Sequence, residues 1–293
     1  MEPKTKVFTQ KLVDSDEINI LFVTDWHCHK ENAEKLKNWY LSKSEHNIQL
    51  VIVGGDFDNI PDPHVATEAE TVASEERIAN FLIHLECFFS PIYYVPGNHD
   101  PATLFAPPKE DRPLLQLTQF SHNVHKRILP IANGLSIFGI GGSIPATVVD
   151  LKTGATKSIW HSYPYSDDEA MQSDISHLQE IVEKALPTEQ FIFVSHNGPY
   201  SLSTTLHHID ADERTEAGSK SLLSFLHKNS QRIFLNFHGH VHAGQGHYNL
   251  NGTHVINAGS LRAGEGATIK IIKSKVDSSW KMQELSFFDL SHA

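Results

Sequence analysis

The chain has 293 residues, and its 24 lysines and arginines against 35 aspartates and glutamates give a formal charge of −11 at pH 7. An acidic chain lacks the basic surface that holds a nucleic-acid backbone, so a nucleic-acid polymer is not expected as its main partner. A chain of this length buries roughly 75% of the surface that its unfolded form exposes, and it needs no disulfide or metal merely to fold. We expect a single domain over residues 1–293.

The composition also bears on the compartment. Only two cysteines occur, Cys28 and Cys87. Residues 1–11 are polar and do not have the pattern of a signal peptide, and no apolar run approaches the ~18 residues of a membrane-spanning helix. We therefore expect a cytoplasmic protein without a membrane span.

The first third of the chain alternates apolar runs with helical patterns. Buried strands are predicted at 18–24, 49–53 and 92–95, and helices are predicted between them at 31–42 and 65–89. This β-α-β-α-β order is typical of a parallel sheet with right-handed connections.

The rest of the chain mixes hairpins with further helices. A hairpin is predicted from the apolar runs 124–129 and 135–140, and a long polar loop follows at 141–168. The later elements are helices at 168–186 and 219–228, strands at 191–194 and 232–237, a polar insertion at 201–217, a hairpin around Asn251-Gly252 at 246–256, and strands at 268–272 and 282–288.

Polar side chains follow five of the predicted strands. In open α/β sheets ligands bind at the carboxyl ends of the strands, so these side chains are candidate site residues. Each short motif alone arises easily by chance, but five of them together offer carboxylate, amide and imidazole ligands without thiolates. The five are Asp25-Trp26-His27, Gly55-Asp56, Gly97-Asn98-His99-Asp100, Ser195-His196-Asn197 and His238-Gly239-His240-Val241-His242.

The order of these motifs resembles that of the calcineurin-like metallophosphoesterase superfamily, in which D-x-H, G-D-x-x-(D/N), G-N-H-(D/E), a lone H and G-H-x-H follow one another. The resemblance spans about residues 18–267, and residues 218–225 and 252–261 look like the small single-domain prokaryotic-type branch. It implies an α/β fold, a four-layer sandwich of two mixed β-sheets flanked by α-helices. It also implies a dinuclear metal-dependent phosphoesterase.

The resemblance assigns a role to each matching residue. One metal ion is expected on Asp25, His27 and His242, a second on Asn98, His196 and His240, with Asp56 bridging the two. Two cations ~3.5–4 Å apart polarise one phosphoryl group and generate a hydroxide from a shared water. The ligand set does not distinguish manganese, iron, zinc and magnesium.

Two residues beside the ligands are candidate catalytic residues. His99 is expected to protonate the leaving alkoxide as a general acid. Asp100 either orients His99 or caps the loop, and we prefer the orienting role.

Further residues have two readings. In the second motif Asn59 stands where an aspartate is usual, so it is expected to support a ligand by hydrogen bonding, while Asp58 as a direct ligand is an alternative. Arg262 either binds a phosphate oxygen of the substrate or is an ordinary surface arginine. Two further groups of residues also have two interpretations. Trp26, Phe57 and Tyr200 either form the walls of a pocket or are packing residues, and His207 and His208 either contact the substrate at the rim or lie in a solvated loop. Nothing marks Cys28 as a nucleophile.

The expected substrate is a small-molecule phosphodiester, such as a nucleotide or a cyclic nucleotide. A phosphomonoesterase uses the same ligands and is an alternative. A protein phosphatase normally has an arginine after its second motif and G-N-H-E as its third, whereas this chain has Asn59-Ile60-Pro61 and Asp100. A repair nuclease would need a DNA-binding surface, and a non-catalytic scaffold typically loses His99 or metal ligands.

Overall fold

The computed structural model describes residues 13–42, 47–107, 112–208 and 212–292. The strands along these residues are β1 (Glu17–Val23), β2 (Leu50–Val53), β3 (Ile92–Tyr94), β4 (Ser121–Asn123), β5 (Ile128–Ala132), β6 (Leu135–Ile140), β7 (Thr147–Asp150), β8 (Thr156–Ser158), β9 (Gln190–Ser195), β10 (Leu206–His208), β11 (Glu213–Glu216), β12 (Ile233–His238), β13 (Gly246–Leu250), β14 (Thr253–Asn257), β15 (Glu265–Lys273) and β16 (Trp280–Asp289).

Five α-helices lie in the described ranges: α1 (Lys30–Ser42), α2 (Glu68–Leu85), α3 (Pro113–Leu117), α4 (Asp168–Lys184) and α5 (Lys220–Asn229). Helix α2 starts at a capping box, in which Thr67 and Glu70 satisfy each other's main-chain N–H groups. The short α3 and β4 were not predicted. No helix in these ranges is both long and apolar enough to cross a membrane.

The first sheet has the strand order β16-β15-β1-β2-β3-β4, with β1 to β4 parallel and β15 antiparallel to β1. Side chains alternate between its two faces along each strand. On β1, Ile20 and Phe22 point to one core, while Leu21 and Val23 point to the other, where α1 and α2 pack. The central strands β1, β2 and β3 are therefore buried on both faces, which explains why they are nearly continuously apolar.

The second sheet has the order β13-β14-β12-β9-β6-β5 and is also mixed. One face meets the first sheet, where Phe237 packs on Phe22 with ring centroids 4.7 Å apart. The other face is covered by α4 and α5, through residues such as Leu178 and Phe225. The four layers are α1 with α2, the first sheet, the second sheet, and α4 with α5. The predicted four-layer fold is confirmed.

A third sheet corrects the sequence analysis. The segments predicted as a polar loop at 141–168 and a polar insertion at 201–217 pair as a four-stranded sheet in the order β10-β11-β7-β8. These strands have only three or four residues each, and β8 is exposed throughout. Short, solvated strands carry too little alternation to predict a sheet, and here the pairing joins segments far apart in the chain.

Candidate metal centre

The carboxyl ends of strands from both large sheets meet at one edge of the molecule. Main-chain hydrogen bonds hold the loops there together: Asp25 N donates to Gly55 O at 2.9 Å, and Gly239 N donates to His196 O at 3.1 Å. The first bond joins the loops after β1 and β2 in one sheet, and the second joins those after β9 and β12 in the other. The two pairs of loops are connected by His240 N, which donates to Asp25 Oδ2 at 3.1 Å. This arrangement brings together side chains that are more than 200 residues apart in sequence.

Several candidate ligands have unusual backbone conformations. Asp25, His27, Asp56 and His240 have positive φ values of 54°, 50°, 52° and 68°. Non-glycine residues rarely adopt this region, and such conformations concentrate at functional sites because the surrounding structure must impose them.

Two motif glycines allow the loops to approach each other. A Cβ on Gly97 would overlap the Asp56 carboxylate and main chain, and one on Gly239 would overlap Thr24 and the Asp25 carboxylate. Any side chain at either position would push a candidate ligand out of place. Steric overlap therefore explains why the G-N-H-D and G-H-x-H motifs have glycine at these positions.

The first ligand cluster consists of Asp25, His27 and His242, whose donor atoms all lie within 4.8 Å of one another. His242 Nε2 is 3.2 Å from Asp25 Oδ1 and 3.2 Å from His27 Nε2. The structure thus brings together the three residues expected to hold one ion.

The second cluster consists of Asp56, His196 and His240, which are all buried. His196 Nε2 is 3.4 Å from Asp56 Oδ2 and 3.0 Å from Asn98 Oδ1, so Asn98 belongs to the same group. Asp56 Oδ2 is also 3.7 Å from His27 Nε2 in the first cluster. Asp56 therefore lies between the clusters, where a bridging carboxylate is expected.

The electrostatics of the clusters are strongly coupled. Burial works to raise the pKa of Asp25, but the hydrogen bond and charge of His242 outweigh it and lower this pKa to about 2. Burial works to lower the pKa of His196, but the charge and hydrogen bond of Asp56 raise it to about 9. Burial lowers the pKa of His240 to about 3, so this imidazole is neutral at pH 7. Such buried carboxylates require positive charge close by.

The residues fit a pair of divalent cations. His240 Nε2 is buried without a hydrogen-bond partner and, being neutral, has a lone pair to donate. The donor set of carboxylate, amide and imidazole suits first-row divalent metals, and binding would displace the extra proton that His196 carries at pH 7.

Neighbouring groups orient the imidazoles. His27 Nδ1 is 2.8 Å from Asn59 Oδ1, and His196 Nδ1 is 2.8 Å from Gly54 O. Because an oxygen acceptor holds a hydrogen on Nδ1, Nε2 is the nitrogen left to bind a cation, and both rings present Nε2 to the cluster. The contact from Asn59 is the one expected of the residue at this position.

Asp58 is not a ligand in this structure. Its carboxylate turns away from the clusters and accepts hydrogen bonds from Arg77 Nη2 at 2.5 Å and from Cys28 Sγ at 2.9 Å. Burial and the neighbouring Asp58 charge raise the pKa of Cys28 to about 12, which makes this thiol a poor nucleophile.

His99 lies at the cluster, but Asp100 does not orient it. His99 Nδ1 is 3.1 Å from Ile60 O, while its main-chain N donates to Asp56 Oδ1 at 2.9 Å. The Asp100 carboxylate accepts from Asp58 N at 2.9 Å and from Gly97 N at 2.7 Å. The preferred reading of Asp100 is therefore corrected to the alternative, because both its oxygens cap the loop.

A cleft of about 450 Å³ opens over the clusters, and its walls include His99, Arg262 and Trp160. Trp160 was not predicted because it lies in the segment read as a polar loop. The Trp160 and His240 rings are perpendicular, with centroids 5.3 Å apart.

The three aromatic residues for which a pocket-wall role was one alternative do not line this cleft. Trp26 is buried and stacks on Phe81 at 4.2 Å, and Phe57 is buried in the same core. Tyr200 instead contacts Lys220. The side chains of His207 and His208 lie outside the described residues, so their two interpretations, a rim contact and a solvated loop, both stay open.

Comparison with known proteins places the fold and the motifs in one family. The family model for calcineurin-like phosphoesterases matches residues 18–244. The chain belongs to this family of metal-dependent phosphoesterases, in agreement with its two clusters of potential ligands. A search of curated proteins found no match.

Solved structures share the fold at low sequence identity. The protein TT1561 of Thermus thermophilus is 18% identical, with a TM-score of 0.57 over 93% of this chain and 99% of that one. A second structure is 16% identical, with a TM-score of 0.62 over 92% of this chain and all of that one. At such identities the similarity concerns the fold alone.

Proposed function

We propose that this chain is a dinuclear phosphodiesterase acting on small molecules. The observation that carries the proposal is the position of Asp56 between two clusters of potential ligands, at the floor of a cleft that also contains His99. Asp25, His27 and His242 would hold one divalent cation, and Asn98, His196 and His240 the other. Such a pair supplies charge neutralisation at phosphorus and activation of a water molecule.

His99 acts on the leaving group in this proposal. A carbonyl only accepts hydrogen bonds, so the contact with Ile60 O places a hydrogen on His99 Nδ1. In the imidazolium form Nε2 also carries a hydrogen, and this is the proton that passes to the departing alkoxide, which leaves the neutral ring with a lone pair on Nε2. Arg262, on the cleft wall, is available to hold a phosphoryl oxygen, since no acidic partner of its side chain is found within the described ranges.

A small substrate fits the charge of the chain. A formal charge of −11 repels an extended polyanion, whereas a compact ester brings a single phosphate to the cations. The free thiols of Cys28 and Cys87 agree with a reducing compartment, and cytoplasmic location is part of the proposal. A phosphomonoesterase remains the second candidate because the same ligands accommodate a monoester.

A comparison of substrates tests the proposal. We expect kcat/KM of the manganese-loaded protein to be highest for small diesters, among matched mono- and diesters, 2′,3′- and 3′,5′-cyclic nucleotides, single-stranded DNA and a phosphopeptide. A preference of roughly tenfold or more for DNA or the phosphopeptide, about 1.4 kcal/mol, would refute the small-molecule assignment. A similar preference for monoesters would favour the second candidate.

A further inference from the structure

The third sheet places one exposed tryptophan over the candidate metal centre. Trp160 follows β8 by two residues, and 39% of it is exposed. Its ring is perpendicular to that of the candidate ligand His240, and it lines the same cleft as His99 and Arg262. Part of the indole therefore contacts the centre, while the rest is free to contact a bound molecule.

The chain holds Trp160 in place on both sides. On one side, Ile159 N donates to the carbonyl of the buried Ala146 at 3.0 Å. On the other, Ser143 N donates to Tyr163 O at 2.8 Å, and the Tyr163 ring packs against Phe105 at 5.0 Å. Contacts of its neighbours thus fix the backbone that carries the indole.

The same segment is tied to the metal cluster. The Asn98 side chain donates to the carbonyl of His161, the residue after Trp160, at 3.4 Å. The same Asn98 side chain is 3.0 Å from His196 through its oxygen. A candidate ligand therefore connects the tryptophan segment to the second cluster.

The cleft is larger than a phosphate group requires. Its volume of about 450 Å³ is within the range of sites that enclose a small organic ligand. A phosphoryl group on the ligand clusters would leave its organic substituent against the cleft wall. The wall residue suited to a flat apolar substituent is Trp160, because an indole stacks on or edges against aromatic rings.

We propose that Trp160 determines specificity by contacting an aromatic ring carried by the substrate, so that the preferred substrates are aryl or heteroaryl phosphoesters. The inference rests on the proposed function, because it assumes that the phosphoryl group sits at the metal centre. It adds the chemical class of the organic part. Trp160 is a recognition residue in this account and takes no part in proton transfer.

Two phosphonates separate this contact from binding at the metals. Phenylphosphonate and methylphosphonate share the same anionic head, and neither is hydrolysed. We expect calorimetry with the manganese-loaded protein to give roughly tenfold tighter binding of the phenyl compound, which is the scale of one aromatic stacking contact. Trp160→Ala should abolish this preference and leave the Kd of methylphosphonate unchanged.

Two further variants serve as controls. Trp160→Phe should restore most of the preference, because it keeps an aromatic ring at the position. Phe287→Ala should have no effect, because Phe287 has a similar exposed fraction of 38% but lines a different cavity.

Three outcomes would overturn the inference. They are a wild type without preference for the phenyl compound, a Trp160→Ala variant that keeps it, and a variant that weakens both phosphonates equally. If the protein hydrolyses phosphoesters in any of these cases, the proposed function holds and only the inference about Trp160 fails. A protein that takes up manganese but binds neither phosphonate and hydrolyses no phosphoester would overturn the proposed function as well.

Discussion

At the scale of single residues, the position of His99 is the most informative feature of the centre. Its ring is 5.6 Å from that of His27, and its main-chain N–H binds the Asp56 carboxylate. No carboxylate is seen to contact its ring among the described residues, and the Ile60 carbonyl alone orients it. Its role can therefore be separated by mutation from metal binding.

Replacing His99 by alanine should slow the reaction while metal content stays at two ions per chain. The expected loss in kcat is about 10²–10⁴-fold for an ester with a poor alkoxide leaving group, because one general acid contributes this much. With p-nitrophenolate, which leaves without protonation, the loss should be much smaller. Equal losses for both leaving groups would mean that His99 orients the phosphate and does not donate a proton.

The sequence pattern predicted which candidate ligands lie together better than it predicted the contacts of neighbouring residues. The spacing of ligands at strand ends is visible in the chain, because parallel strands end at one edge of a sheet. Which neighbour binds Asp58 or Asp100 depends on loop conformations with positive φ, and on Arg77, which lies on another element. Such contacts have no local sequence pattern.

At the scale of elements, the segment after β4 joins the two large sheets. The carbonyl of Val124 accepts from Gly139 N of β6 at 3.0 Å, and His125 Nδ1 accepts from Gly141 N at 2.8 Å. To accept this hydrogen bond the His125 ring must be neutral. Burial lowers its pKa from 6.5 to about 3, with a smaller contribution from Lys126.

His125 should therefore make the protein sensitive to acid. Because its pKa is lower in the folded state, the unfolded chain takes up the proton first, and stability is full above pH 6.5 and falls as the pH drops towards 3. Between pH 6.5 and 5 the loss from this residue is about 2 kcal/mol. His125→Asn keeps an acceptor but does not titrate, so its unfolding free energy should fall less over this range.

Urea unfolding of both proteins at pH 6.5 and 5 measures the difference. His177→Asn, which replaces an exposed histidine of α4, is the matched control and should behave like the wild type. An equal loss of stability in His125→Asn and the wild type would contradict the account of His125.

The large elements were predictable and the small sheet was not. Apolar runs and helical periods are strong for β1, β9 and α4, and the structure confirms them. The hairpin of β5 and β6 was also predicted, although β5 begins later because residues 124–127 cross between the sheets. The sheet that positions Trp160 depends on pairing between distant polar segments, and Trp160 was therefore missed. Of the aromatic residues with two interpretations, Trp26 and Phe57 are packing residues.

At the scale of the whole molecule, β15 and the loop before it contribute to the same site as β1. Strand β15 pairs with β1, and the loop before it returns to the centre, where Arg262 N donates to Asp25 O at 3.0 Å. Ser260 Oγ donates to the same carbonyl at 2.9 Å. Residues that follow the matched region 18–244 thus contribute to the same cleft as the two sheets, which supports a single reaction centre.

The most direct test of this centre is the turnover of bis(p-nitrophenyl) phosphate before and after complete removal of metal, verified by elemental analysis. Charge neutralisation and water activation are both assigned to the cations, so activity should vanish with the metal and return on adding manganese or another divalent transition metal. Activity should be regained as the content approaches two ions per chain. Unchanged turnover in the verified metal-free protein would contradict the account.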